Sequence, residues 1–191
     1  MARIAIFASG NGSNFEVLAD SFNGDINNKI ELLICNNEDA FAIDRAKRLG
    51  IRYEIVKYEK NRRDEAENKI LSILKKNNID VVFLAGFMKI LGEEFLKNAG
   101  IPVINIHPSI LPKYKGTHAI ERAFESDDTE IGITIHYVNE KVDSGEIILQ
   151  KKISLAREKG LDRVEADVHK LEHKWYPVAA KEICEKLNKS K

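Results

Sequence analysis

An asparagine and a histidine stand two residues apart in Asn105-Ile106-His107, within the stretch NIHPSILPKYKG that ends at Gly116. On a strand that spacing puts both side chains on one face, where an amide and an imidazole can act on one substrate together. An amide donates to a developing oxyanion and an imidazole gives or takes a proton near neutral pH, which suits reaction at a carbonyl. Pro108, Leu111-Pro112 and Gly116 make the following loop stiff and averse to helix. A carboxylate is available at Asp143, in Val142-Asp143-Ser144-Gly145, although Asp-Ser-Gly is also good turn chemistry. No serine or cysteine stands in a nucleophile elbow, which leaves the attack to a group on a substrate. Spacing alone keeps a second reading open, in which Asn105 and His107 only cap a buried strand.

A second cluster, Ser9-Gly10-Asn11-Gly12-Ser13-Asn14, falls where a first strand must turn into a first helix. Glycines permit a tight turn with exposed amides, Ser13 or Asn14 is expected to cap the helix, and its free N–H groups attract phosphate. Phe15 stands where a dinucleotide fingerprint has its third glycine, and Asn36-Asn37 stand where its ribose acid belongs, so NAD is disfavoured. Lys115-Gly116-Thr117 has the wrong order for a Walker motif. A seat for one phosphate monoester is preferred over a plain capped turn. Further on, His169-Lys170-Leu171-Glu172-His173 reads H-x-x-E-H, a zinc-peptidase pattern short enough to arise by chance, and no metal is expected.

The elements that must position these groups follow from pattern. The 191 residues, 43% of them hydrophobic, suffice for one core and one domain spanning 1–191. Thirty basic and thirty acidic side chains cancel, which disfavours nucleic acid and anionic membrane as partners. Cys35 and Cys184 have no Cys-x-x-Cys spacing and are expected to be reduced core thiols. The longest apolar stretch, Val81 to Met88, is far short of the roughly 20 residues a membrane span needs. With too short an apolar run after Met1-Ala2-Arg3 for a signal peptide, the expected compartment is the cytoplasm.

Apolar runs at 3–8, 30–35, 52–56, 81–85 and 103–106 read as strands alternating with amphipathic helices. The expected fold is α/β: one doubly wound, mostly parallel, Rossmann-like sheet with helices on both faces. Segments 132–138 and 146–153 read as two later strands, at least one of them antiparallel. From about Asp162 to Asn188 the positions Val164, Val168, Leu171, Trp175, Val178, Ile183 and Leu187 recur at helical spacing, with Pro177 expected to kink or break the helix. His118 is expected to begin or flank a helix, and His136 to line a pocket or simply satisfy a strand.

NIHPSILPKYKG, read with Gly132-Ile133-Thr134-Ile135-His136-Tyr137-Val138 and Val142-Asp143-Ser144-Gly145, closely resembles the folate-dependent formyltransferases. The likeness covers nearly the whole chain, including SGNGSN at 9–14, LAGFMKIL at 84–91 and LEHKWYP at 171–177. It implies transfer of a formyl group from 10-formyltetrahydrofolate, a co-substrate and not a bound cofactor, to the primary amine of 5′-phosphoribosylglycinamide in purine synthesis. By that resemblance Asn105, His107 and Asp143 are the catalytic set. Asn105 and a protonated His107 stabilise the oxyanion, and Asp143 favours the imidazolium and helps organise proton transfer.

The resemblance assigns the ribotide to Gly12, Ser13, Asn14, Gly86, Met88 and the segment His169, Lys170, Leu171 and Glu172. It assigns the folate to Arg63, to Met88, Lys89, Ile90 and Leu91, to Asn105, and to the loop Asn139, Glu140, Lys141, Val142 and Asp143. The family often has arginine at position 89, so Lys89 keeps the charge and changes the polar contacts. Two alternatives remain: a formyltetrahydrofolate hydrolase, whose relatives carry an added N-terminal regulatory domain, and a nucleotide-binding module without turnover. Transfer to methionyl-tRNA is disfavoured, since those relatives carry an extra C-terminal domain.

Overall fold

The computed structural model, which describes residues 1–190, turns each of those apolar runs into a strand. The strands are β1 (Ala2–Ala8), β2 (Asn28–Cys35), β3 (Tyr53–Ile55), β4 (Val81–Leu84), β5 (Val103–His107), β6 (Glu130–Tyr137) and β7 (Ile147–Ser154). The helices are α1 (Ser13–Ser21), α2 (Phe41–Leu49), α3 (Arg63–Lys76), α4 (Glu93–Ala99), α5 (Ala119–Phe124) and α6 (Leu161–Lys189).

The seven strands form one sheet in the order β3-β2-β1-β4-β5-β6-β7. β1 to β5 pair in parallel; β6 opposes β5, and β7 opposes β6 and so runs with the first five. The expected doubly wound sheet is present, with a long antiparallel hairpin at one edge. Alternation along each strand feeds two cores. In β1, Ile4 and Ile6 face the core closed by α1, α2, α5 and α6, while Ala5 and Phe7 face the one closed by α3 and α4. β4 is buried at all its positions and lies between β1 and β5, as its unbroken apolar run implied.

The last helix corrects two expectations. Pro177 does not break it: α6 is assigned as helix through 29 residues with the proline inside. A mid-helix proline costs about 3 kcal/mol, and burial of Val164, Val168, Tyr176, Ala179, Ala180, Ile183 and Cys184 outweighs that. The buried stripe also lies to one side of the expected one. Tyr176 is buried and donates its hydroxyl to Leu84 O at 2.7 Å, whereas Trp175 and Leu171 are only partly buried and Val178 is exposed. That stripe passes through Glu172, which is 4% exposed. A carboxylate in an apolar stripe needs partners, and it has them at the site.

Candidate active site

Strand order reverses between β1 and β4, so ligands are expected beyond the carboxyl ends of β1, β4 and β5. A cleft of about 760 Å³ lies there, lined by the loop after β1, the segment after β4, the end of β5, the β6–β7 loop and α6.

Asn105 and His107 close β5 and reach the same carboxylate. His107 Nδ1 lies 3.3 Å from Asp143 Oδ2, and Asn105 Nδ2 donates to Asp143 Oδ1 at 3.4 Å. The hairpin delivers Asp143 because β6 and β7 leave the loop between them only one way back. A Cβ on Gly145 would lie 1.7 Å from Tyr137 O, so only glycine allows the return strand so close. Asp143 itself takes a left-handed conformation at φ 47. Gly116 N donates to its Oδ2 at 2.8 Å, which ties it to the loop after β5.

Tautomers follow from partners that only accept. His107 Nε2 meets Tyr114 O at 2.9 Å, so Nε2 carries the proton in the neutral ring. Nδ1 then gains its bond to Asp143 only when the ring is an imidazolium. His136 Nδ1 meets Tyr137 O at 2.8 Å, so in the neutral ring Nε2 accepts from Asn105 Nδ2 at 3.4 Å, and in the protonated ring the Nε2–H faces Asp143 Oδ1, 3.6 Å away. Burial pushes the Asp143 carboxyl up. The His136 hydrogen bond, the Gly116 N–H and the positive fields of His107 and His136 outweigh it and leave the group below its ordinary value. His136 thus belongs to this corner more firmly than its type alone suggested. Its signal was register: it pairs with Asn105 across β5 and β6.

The loop after β1 differs from its expected capping. Neither Ser13 nor Asn14 caps α1; Gly12 holds the cap position at φ 76, with no side-chain cap bond. Both residues lie inside the first turn, where a side chain cannot reach forward as a cap does, so the first amides stay open to an anion. Asn14 Nδ2 donates instead to Glu172 Oε2 at 3.0 Å, and His169 Nδ1 reaches the same oxygen at 2.9 Å. That hydrogen bond to Glu172 raises the His169 imidazole above its ordinary value, against the opposing pull of burial. Both bonds fall on Oε2, leaving Glu172 Oε1 without a partner among the described residues at the cleft wall.

α2 braces this loop. Arg45 donates to Asn11 O and to Asn11 Oδ1, both at 2.9 Å, and pairs with Glu16. Ser9 accepts from Met88 N at 2.8 Å and donates its own N–H to Gly86 O at 3.1 Å, which joins the loop to the segment after β4.

On the other side of the Asn105–His107–Asp143 corner the wall is apolar and open. Met88, Ile90 and Val142 are exposed, and Leu91, buried, roots the segment in the second core. Lys89, Asn139 and Lys141 add polar groups, and the Lys89 ammonium lies 6.0 Å from the Tyr58 ring centroid. Glu67, which no motif marks, holds this wall in place. It is 5% exposed and accepts from Gly92 N at 3.0 Å and from Arg63 Nε at 2.8 Å.

Of the residues singled out in the sequence, Arg63, Glu140, Lys170 and Leu171 do not line the cleft. Arg63 turns to Glu67 and stands behind the wall, Lys170 pairs with Asp167 at 2.8 Å, and Leu171 packs on the core. Helical rotation separates Lys170 and Leu171 from His169 and Glu172. Among the described residues no group of three or more His, Cys, Asp and Glu could hold a metal, and the H-x-x-E-H pattern is spent on the Asn14–Glu172–His169 bridge.

The family model described as Formyl transferase matches residues 2–180. The chain is 39% identical over 189 residues to the phosphoribosylglycinamide formyltransferase of Bacillus subtilis (strain 168), covering 96% of this chain and 95% of the relative. It is also 39% identical over 188 residues to the Haemophilus influenzae enzyme of that name, covering 97% and 88%. The crystal structure of phosphoribosylglycinamide formyltransferase from Anaplasma phagocytophilum superposes with a TM-score of 0.89 at 35% identity, covering 97% of this chain and 88% of that one.

Proposed function

This chain belongs to the formyl transferase family, and from that premise we propose how its cleft carries out the reaction. The protein transfers a formyl group to 5′-phosphoribosylglycinamide in purine biosynthesis, with 10-formyltetrahydrofolate as the donor. The observation that carries the mechanism is the meeting of Asn105, His107 and one Asp143 carboxylate, at 3.3 to 3.4 Å, beside an open anion loop in the same cleft.

The 5′-phosphate rests on the backbone amides of Gly12, Ser13 and Asn14, and Glu172 Oε1 accepts from a ribose hydroxyl. Gly86 and Met88 flank the glycinamide arm. The folate lies against Met88, Lys89, Ile90 and Leu91 and beneath the loop Asn139 to Asp143; Arg63 supports this wall through Glu67. The primary amine attacks the formyl carbon and the carbonyl π pair moves onto oxygen. Asn105 Nδ2 and a protonated His107 Nδ1 then exchange their long bonds in the free protein for shorter, charge-assisted ones to that oxyanion. Asp143 stays beside the imidazolium as its counter-charge and steers the amine proton toward the folate nitrogen that leaves. Collapse of the intermediate breaks the carbon–nitrogen bond to folate and restores the carbonyl.

Residues 1–191 are read as one catalytic domain, supported by two cores on opposite faces of one sheet. No helix among the described residues is long and apolar enough to cross a membrane, and a cytoplasmic setting fits the folate and ribotide pools the reaction draws on. Tetrahydrofolate release followed with and without the ribotide is the deciding assay. Release that requires the ribotide and yields formylated ribotide supports the reading. Release in its absence means hydrolysis, and binding of both ligands without product means a module without turnover.

A further inference from the structure

Tyr114 is not part of the cleft wall, yet its main-chain carbonyl is the group that accepts the His107 Nε2 proton, at 2.9 Å. A carbonyl cannot donate, so this one contact decides which ring nitrogen is free to face Asp143. Tyr114 holds the carbonyl there from a left-handed backbone, φ 56, which bulky residues with a Cβ rarely adopt. Such a conformation persists only where the surroundings over-determine it.

The surroundings are at the far end of its ring. The hydroxyl donates to Asp128 Oδ2 at 2.7 Å and lies 2.7 Å from Ser126 Oγ. Asp128 also binds Lys113 Nζ at 2.7 and 2.9 Å, which closes the loop on itself one residue before the strained position. Ser109 Oγ donates to Lys113 O at 2.6 Å, and Arg157 donates to Asp128 O at 2.6 Å, so both flanks are fixed. Tyr114 lines a second cavity of about 290 Å³, with Ile110, Lys113 and Asp128, that shares no lining residue with the cleft.

We propose that Tyr114 is a positioning residue: its hydroxyl, anchored on Asp128, keeps its carbonyl on His107 Nε2 and so presents Nδ1 to Asp143 and the reacting oxygen. This rests on the reading of His107 as the catalytic imidazole. Carbonyl and anchor belong to the same residue, so a change at Asp128 or Ser126 reaches the chemistry without touching either substrate.

Tyr114→Phe removes one oxygen. It should lower kcat about tenfold while both KM values stay within about twofold, because misplacing a reacting group costs rate more than binding. Nitrogen-15 NMR of His107 should show the Nε2–H form as the main neutral tautomer in the wild type and a mixed population in the variant. Asp128→Ala cuts the same bond from its other end together with the Lys113 bridge, and Lys113→Ala, which cuts the bridge alone, separates the two; this pair decides if Tyr114→Phe does not fold. A lowered melting temperature with kcat and the His107 tautomer both unchanged overturns the proposal, since that is the signature of a structural tyrosine only. Full turnover in His107→Gln would instead overturn the catalytic reading, and the NMR signal would still report whether Tyr114 governs the ring.

Discussion

The end of the cleft assigned to the phosphate is made of backbone, and the reacting end is made of side chains. Around Gly10 to Asn14 the working groups are amides, shaped by a glycine at φ 76 and braced by Arg45 and Ala42 of α2. At the reacting end Asn105, His107, His136 and Asp143 spend their polar atoms on one another and on two main-chain carbonyls. Backbone sites are specified by shape and are sensitive chiefly to an added Cβ. A buried side-chain site is specified by donor and acceptor count, and one lost atom leaves its neighbour unpaired. The two ends should therefore fail in different ways.

The sharpest break in that contrast comes from Asn105→Ala. It removes the proposed oxyanion donor, which is also the amide that bridges Asp143 and His136, so turnover should fall roughly 10²-fold or more with both ligands still bound. Single-turnover kinetics separates this from weaker binding. Lost binding at unchanged turnover would make Asn105 a positioning residue, and the reacting end would then behave like the phosphate end.

Gly12→Val tests the shape-specified end. A Cβ there would lie 2.6 Å from Ala42 Cβ and 2.8 Å from Ala42 Cα, with φ already in the region that disfavours side chains. The loop has to move away from α2, and the expected result is a ribotide KM raised roughly tenfold against a nearly unchanged folate KM. The same measurement on dephosphorylated substrate should show little further loss. Equal effects on both substrates in a folded variant would sever the loop from the phosphate.

How much of each end was readable from sequence follows the same division. The glycine loop and the two-residue spacing of Asn105 and His107 are local patterns, and the structure places both where those patterns pointed. Register is not local: nothing near His136 reveals that it pairs with Asn105. The left-handed conformations of Tyr114 and Asp143 are equally hidden, because neither is a glycine and only partners distant in sequence hold them. On α6, adjacent aromatics gave hydropathy no reason to prefer Tyr176 over Trp175, so the stripe that buries Glu172 was missed.

A smaller effect is expected at the apolar wall, where Glu67 joins Arg63 to Gly92 N. Glu67→Gln keeps the shape and removes a charge from two hydrogen bonds, worth about 1 kcal/mol or somewhat more. The segment Met88 to Leu91 should loosen, raising the folate KM a few-fold and leaving the ribotide KM in place. Isothermal titration with a folate analogue checks this directly. A change in ribotide affinity of equal size would mean that Ser9, which bonds Met88 N, transmits the loosening to the phosphate loop.

The smallest expected effect separates the two ends by pH. Asp143 has a lowered pKa: burial raises it, and the His136 bond, the Gly116 N–H and nearby imidazoles bring it below the ordinary 3.8. A depressed carboxyl adds stability that is present above its ordinary value and is lost as pH falls through the lowered one. His169 is raised, first by its bond to Glu172, above the ordinary 6.5. Its contribution has the opposite sign, fully present below 6.5 and lost as pH rises through the raised value. Asp143→Asn should therefore flatten part of the acid fall in melting temperature and leave the alkaline side alone, while His169→Gln should do the reverse. His169 is about half exposed and screened, so its limb is expected to be on the order of 1 °C. Melting curves for the three proteins from about pH 3 to about pH 9 read both limbs at once. If His169→Gln left the alkaline limb unchanged, the raised imidazole would contribute no stability, and Glu172 would be held to the phosphate loop by Asn14 Nδ2 alone.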